Sequence, residues 1–123
     1  ARAARARGVL FDVGHGTAAY DAEVARIAIA DGFLPDTVSS DMYVMHVGRT
    51  ARHDLPMVIS RLVDAGMPEK EAFAAATTRP AGILGLAGEI GTLAPGACAD
   101  LAVLRRSEGG WMALRTFRAG VPC

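Results

Sequence analysis

GVLFDVGHG (Gly8–Gly16) and PDTVSSDM (Pro35–Met42) are the two stretches on which the fold turns. In the first, Val9, Leu10, Phe11, Asp12 and Val13 form a short apolar run of the kind that fills a parallel strand buried on both faces. Gly14, His15 and Gly16 follow. A polar side chain flanked by glycines then stands at the strand's carboxyl end, where backbone can come close to a ligand. In the second stretch, Thr37, Val38, Ser39 and Ser40 make another short strand with Asp41 at its end. Between the two, Asp21 caps a helix running to about Asp31, with Val24, Ile27 and Ala28 as an apolar stripe, and Gly32 ends it. Ahead of them, Ala1–Arg7 is an alanine and arginine helix stopped by Gly8. Helix, strand, helix, strand implies βα units and a parallel sheet, in which ligands sit at the carboxyl ends of the strands.

Downstream, Met42–His53 has no clean period and a length at which loops are more often functional than incidental. Asp54 caps the next helix, with Pro56 in its first turn and Leu55, Val58, Ile59, Leu62 and Val63 at helical spacing. Gly66 closes it, Pro68 opens another to about Thr78, and Pro80 opens a short last helix ending in the glycines around Leu86. From Glu89 the pattern turns to β: Ile90, Thr92 and Leu93, a Pro95-Gly96 turn of type II, and a strand over Leu101, Ala102, Val103 and Leu104. A hairpin through Glu108, Gly109 and Gly110 reaches Trp111, Leu114 and Phe117, and Arg118–Cys123 reads as turn.

The 123 residues carry 13 basic and 13 acidic side chains at 51% hydrophobic composition, which describes a globular piece with an apolar core and excludes a disordered tail. A net charge of zero leaves no footprint for nucleic acid or a membrane surface. No apolar run reaches the roughly 18 residues of a spanning helix, and Ala1–Arg7 lacks the apolar stretch of a signal peptide, so a cytoplasmic protein is expected. Cys98 and Cys123 are too few for a disulfide framework.

The candidate site residues are His15 and Asp41, 26 positions apart, each at the carboxyl end of a strand, with Gly14 leaving backbone open beside them. Adjacent strands would bring both into one mouth. A histidine ring nitrogen can serve a metal or a substrate oxygen, and a carboxylate can bind a metal or act as general base. Taken singly, Asp41 could equally cap a turn and His15 satisfy a loop carbonyl. His46 and His53 are seven apart, not the i, i+4 spacing of helical ligands, and read as ordinary loop residues. Neither Ser39 nor Ser40 sits in a G-x-S-x-G elbow, and Gly14-His15-Gly16 lacks the spacing of a phosphate loop.

With GVLFDVGHG and PDTVSSDM, three further segments carry a resemblance: DLPMVISRLVDAGM (Asp54–Met67), ATTRPAGILGL (Ala76–Leu86) and GEIGTLAPGACADLAVL (Gly88–Leu104). Together they resemble the C-terminal part of an amidohydrolase-superfamily enzyme, of the amidohydrolase/deacetylase group often called dihydroorotase-like. The tail stretch from Gly88-Glu89-Ile90 through Gly96 to Ala99-Asp100-Leu101 and Val103 speaks for the superfamily, and FDVGHG followed by SSD narrows it. The resemblance implies an α/β fold, the C-terminal portion of a (β/α)8 TIM barrel over residues 1–87 and C-terminal strands of a small composite β-sandwich over 88–123. Val9–Val13 would be barrel strand 7 and Thr37–Ser40 strand 8. It further implies a metal-dependent hydrolase cleaving amide (C–N) or ester bonds in a small amide, ester or cyclic imide. Asp41 would be a metal ligand and proton shuttle, and His15 and Gly14 would line the substrate end of the pocket.

The implied cofactor is one or two divalent ions, zinc first among them. A complete barrel needs about 250 residues, and the family's H-x-H pair and its other metal ligands have no counterpart here. The expectation is therefore a fragment, inactive in isolation, whose open edges favour self-association and a homo-oligomer. The alternative is a non-catalytic module that docks on a partner chain through the open barrel edge.

Overall fold

A computed structural model describes residues 1–15, 19–46 and 52–123. Gly16 and most of the second half of the Met42–His53 loop, residues 47–51, lie outside the described residues. Helix α1 (Arg2–Arg5) leads into strand β1 (Asp12–Gly14), helix α2 (Ala22–Ala30) and strand β2 (Thr37–Ser39). A short 3-10 turn, Val44–His46, precedes helices α3 (Leu55–Asp64), α4 (Glu69–Ala76) and α5 (Thr78–Ile83). Three strands end the chain: β3 (Leu101–Ser107), β4 (Gly110–Arg118) and β5 (Val121–Pro122).

β1 and β2 pair in parallel, Asp12 with Thr37, Val13 with Val38 and Gly14 with Ser39. The first strand is shorter and later than the apolar run suggests, for Val9 and Leu10 lie outside the ladder and are exposed. Nor is the sheet buried on both faces. Val13 and Val38 turn toward the core, whereas their neighbours in the pleat, Asp12, Gly14, Thr37 and Ser39, form a polar face of their own. The alternation Asp-Val-Gly opposite Thr-Val-Ser is thus the two-sided pattern, and the apolar residues before it are not strand.

The core gathers Val38 of β2, Met57, Val58, Ile59 and Leu62 of α3, Met67, and Ala72 and Ala75 of α4. α3 follows its apolar spacing closely: Val58 and Leu62 are within 1% of full burial, and the Asp54 carboxylate caps the helix by accepting from the Met57 amide. Asp21 caps α2 in the same way, through the amides of Glu23 and Val24. The buried stripe of α2 is not the one its spacing suggests, however. Val24 and Ile27 are each 64% exposed, and Ile29 packs against the core instead. α5 starts at Thr78 rather than at Pro80, a shift the helix tolerates because amides of the first turn have no intrahelical partner. α1 is held to this body by Arg5, whose guanidinium lies 4.0 Å from the Phe33 ring and donates to Asp36 at 2.8 Å.

β3 and β4 form an antiparallel hairpin with a bulge between Val103 and Leu104, and β5 pairs with the end of β4, so the terminal segment is more regular than its sequence suggests. The Ile90–Leu93 stretch forms only an isolated bridge, Ala87 to Ile90, among the described residues. The Pro95-Gly96 turn closes with the Ala97 amide donating to the Ala94 carbonyl. The hairpin docks on α3 through Ser60, whose Oγ donates to the Pro56 carbonyl and accepts from the Trp111 amide at 2.7 Å. This contact requires glycine at 110: its φ is +92°, and a Cβ there would stand 2.5 Å from Ser60 Oγ. Trp111 completes the joint edge-on to Phe73, 5.5 Å between centroids. No helix among the described residues is long and apolar enough to cross a membrane.

Candidate functional site

Asp41 stands two residues beyond β2, exposed, with φ at +50°. Non-glycine residues rarely hold that conformation except where their surroundings impose it, and it recurs at functional sites. The surroundings are visible. A Cβ added to Gly14 would lie 3.4 Å from Asp41 Cβ, 3.7 Å from Asp41 Cγ and 3.4 Å from Ser39 Oγ. The absent side chain at 14 leaves this space open at the shared carboxyl edge of the two strands. Gly14 and Asp41 are thus neighbours at this edge.

His15 is placed differently from the expectation of an open pocket residue. It is 4% exposed and packs against the Tyr20 ring at 5.0 Å and the His53 ring at 5.9 Å. Its Nε2 lies 2.6 Å from an Arg61 Nη1, and since guanidinium can only donate, Nε2 accepts and the proton sits on Nδ1. That Nδ1 is buried and has no partner among the described residues. Burial first, and the positive charge of Arg61 second, hold the His15 pKa below the ordinary histidine value of 6.5. Protons then bind the unfolded chain more readily than the folded one below that value, so the stability owed to neutral His15 is complete above about pH 6.5 and is lost as pH falls through the lowered folded value. Melting temperatures measured between pH 7.5 and 5.5 are expected to fall on acidification, and to fall less in His15→Gln; an equal slope in both would remove His15 as the cause.

His46 and His53, which the sequence marks only as loop residues, stack on each other at 4.1 Å and so join His15 in one cluster, with Tyr43 edge-on to His46. Arg61 likewise has no sequence signal beyond the exposed face of a helix. These are contacts between segments remote in the chain, and spacing along the sequence carries no trace of them.

No group of three or more His, Cys, Asp or Glu side chains among the described residues is arranged to hold a metal ion. The histidine rings stack rather than converge on a point. What the strand edge does offer is one accessible carboxylate, Asp41, fit to be a single ligand among others. An apolar cleft of about 210 Å³ lies between β1 and α2, lined by Phe11, Val13, Val24, Ile29, Phe33 and Leu62, and includes neither Asp41 nor His15.

A model of the amidohydrolase family matches residues 6–116. The chain belongs to the amidohydrolase family. A deacetylase of Agrobacterium fabrum is 35% identical to this amidohydrolase chain over 79 residues, 64% of it, and the chain spans about a fifth of that relative, 19%. The solved structure of an adenine deaminase superposes with a TM-score of 0.80 at 25% identity, covering 99% of this chain and 37% of the deaminase. A dihydroorotase structure superposes at a TM-score of 0.75 and 24% identity, over 98% of this chain and 36% of that one, a likeness of fold. The mixed α/β arrangement described above is therefore that of amidohydrolases.

Proposed function

We propose that this amidohydrolase chain is the C-terminal part of a metal-dependent hydrolase, deacetylase- or dihydroorotase-like, that cleaves an amide (C–N) or ester bond in a small amide, ester or cyclic imide. On this reading β1 and β2 are strands 7 and 8 of a (β/α)8 barrel, residues 1–87 belong to the barrel, and residues 88–123 supply strands to a composite β-sandwich. The observation that carries it is the placing of Asp41 beside Gly14 at the common carboxyl edge of two parallel strands, the edge on which barrel enzymes build their sites. The exposed apolar side chains of Val9, Leu10, Val24 and Ile27 support the same reading, because further barrel elements would cover them.

A divalent ion, zinc by preference, would be held by Asp41 together with ligands from beyond the described residues. Such an ion would supply a lowered pKa for bound water and polarisation of the scissile carbonyl. Asp41 would have two tasks: to help hold the ion, and to take a proton from the attacking water and pass it to the leaving nitrogen or oxygen. Gly14 leaves room for substrate beside that carboxylate. His15, buried with its Nε2 on Arg61, would border the substrate end of the pocket from behind that open edge.

The test compares the 123 residues with the complete gene product that carries them, on an N-acetylated amine, an ester and a cyclic imide, before and after chelation. The complete product is expected to hydrolyse at least one class, to lose that activity with chelator and to regain it with zinc, while the 123 residues alone are inactive. Activity that persists through exhaustive chelation, or no activity on any class, overturns the proposal.

A further inference from the structure

Beneath Asp41, on the polar face of the β1–β2 pair, lies a second carboxylate that the proposed chemistry does not use. Asp12 accepts from the Thr37 hydroxyl with Oδ1 and from the Ser39 hydroxyl with Oδ2, each at 2.7 Å. Thr37 and Ser39 are two apart and so share a face of β2, and Asp12 and Gly14 share the same face of β1. One carboxylate therefore clamps two hydroxyls across the ladder. Bonds of this kind, with an ionised acceptor, are about twice as strong as neutral ones.

The clamp reaches the site through Ser39. Ser39 Oγ, held by Asp12, is also one wall of the space over Gly14, and the Asp41 side chain is another, both 3.4 Å from where a Cβ on Gly14 would stand. Asp41 holds a left-handed backbone conformation, which aspartate tolerates. The other face of the sheet is joined by Val13 and Val38 packing on the core, so cohesion of the two strands does not depend on a carboxylate. We infer that Asp12 is a positioning residue for Asp41: by holding the hydroxyl of Ser39, two residues before Asp41 in the chain, it fixes the strand end from which the Asp41 carboxylate projects. This rests on the role proposed for Asp41 above.

The test uses the complete gene product loaded with zinc, in Asp12→Ala, Asp12→Asn, Ser39→Ala, the Asp12→Ala/Ser39→Ala pair and, separately, Asp41→Asn. Displacement of a reacting group by about 1 Å costs up to about a hundredfold in rate. Asp12→Ala and Ser39→Ala are therefore expected to lower kcat per metal-loaded site by about 10- to 100-fold with KM within about twofold. Asp12→Asn, which keeps an accepting oxygen, recovers part of the loss. The pair is no worse than Asp12→Ala alone, since both act along one path.

A crystal structure of Asp12→Ala gives a readout independent of turnover: the β1–β2 register unchanged and the Asp41 carboxylate shifted. An Asp41 carboxylate that stays in place, or a kcat loss that only follows the folded fraction, overturns the inference. Should Asp12→Ala fail to fold, Asp12→Asn and Ser39→Ala decide by the same criteria. Full activity in Asp41→Asn would instead overturn the role of Asp41, and the crystal structure would still report on Asp12.

Discussion

Asp41→Asn in the complete gene product is expected to lower kcat by at least about a thousandfold, because in the proposed function Asp41 is both an anionic metal ligand and the group that carries the proton, and general acid–base catalysis alone contributes about 10²- to 10⁴-fold. Asparagine is the suitable replacement. It matches aspartate in size, and with glycine and aspartate it is among the residues that tolerate the left-handed backbone found at Asp41. The melting temperature should stay within about 2 °C of the parent, so that lost turnover is not lost fold. Steady-state kinetics, zinc content and thermal melting of the same preparations check this. A variant that turns over at more than a tenth of the parental rate would mean that the proton travels by another group.

The second large effect is on stability. Leu62, 1% exposed, lies in α3 amid Val58, Ile59 and Met67. Leu62→Ala deletes buried methyl groups and leaves a cavity, at a cost of about 2–5 kcal/mol, or on the order of 10 °C in melting temperature. Val24→Ala and Ile27→Ala remove side chains of comparable size from α2, yet both positions are 64% exposed, so in the 123 residues each should change stability by no more than about 0.5 kcal/mol. Denaturant unfolding of the three variants gives the comparison directly. Equal losses at 62 and 27 would mean that the core lies elsewhere than between α3, α4 and β2.

The elements whose stability is local were the legible ones. α3 carries a full apolar period, a carboxylate cap and a proline in its first turn, and each of these acts within a few residues of itself. The Ala94–Ala97 turn is of the same kind. β1 was harder: Val9 and Leu10 have the composition of a strand, but the ladder begins at Asp12, where Thr37 and Ser39 supply hydroxyls from 25 and 27 residues away. The stripe on α2 is correct as a period but turned part-way round the helix, Ile29 rather than Ile27 packing on the core, because which apolar side finds a partner is decided by Leu62 and the rest of the core, not by the helix.

The site divides in the same way. The nearness of Asp41 to Gly14 is legible because a residue at a strand end is fixed by the strand, and the parallel pair brings the two ends together. The surroundings of His15 could not. Arg61 meets it from 46 residues away and His53 from the far side of a long loop, and no motif joins them. The Ser60 fork to Trp111 is similar: a serine on the buried side of an apolar helix suggests a polar partner, but nothing in the sequence names Trp111 as that partner.

The most direct measurement is anomalous X-ray scattering from crystals of the complete gene product grown with zinc. The account predicts a zinc peak at the carboxyl edge of β1 and β2 with an Asp41 carboxylate oxygen about 2.0–2.2 Å away. A fully occupied zinc site with Asp41 outside coordination distance would contradict it.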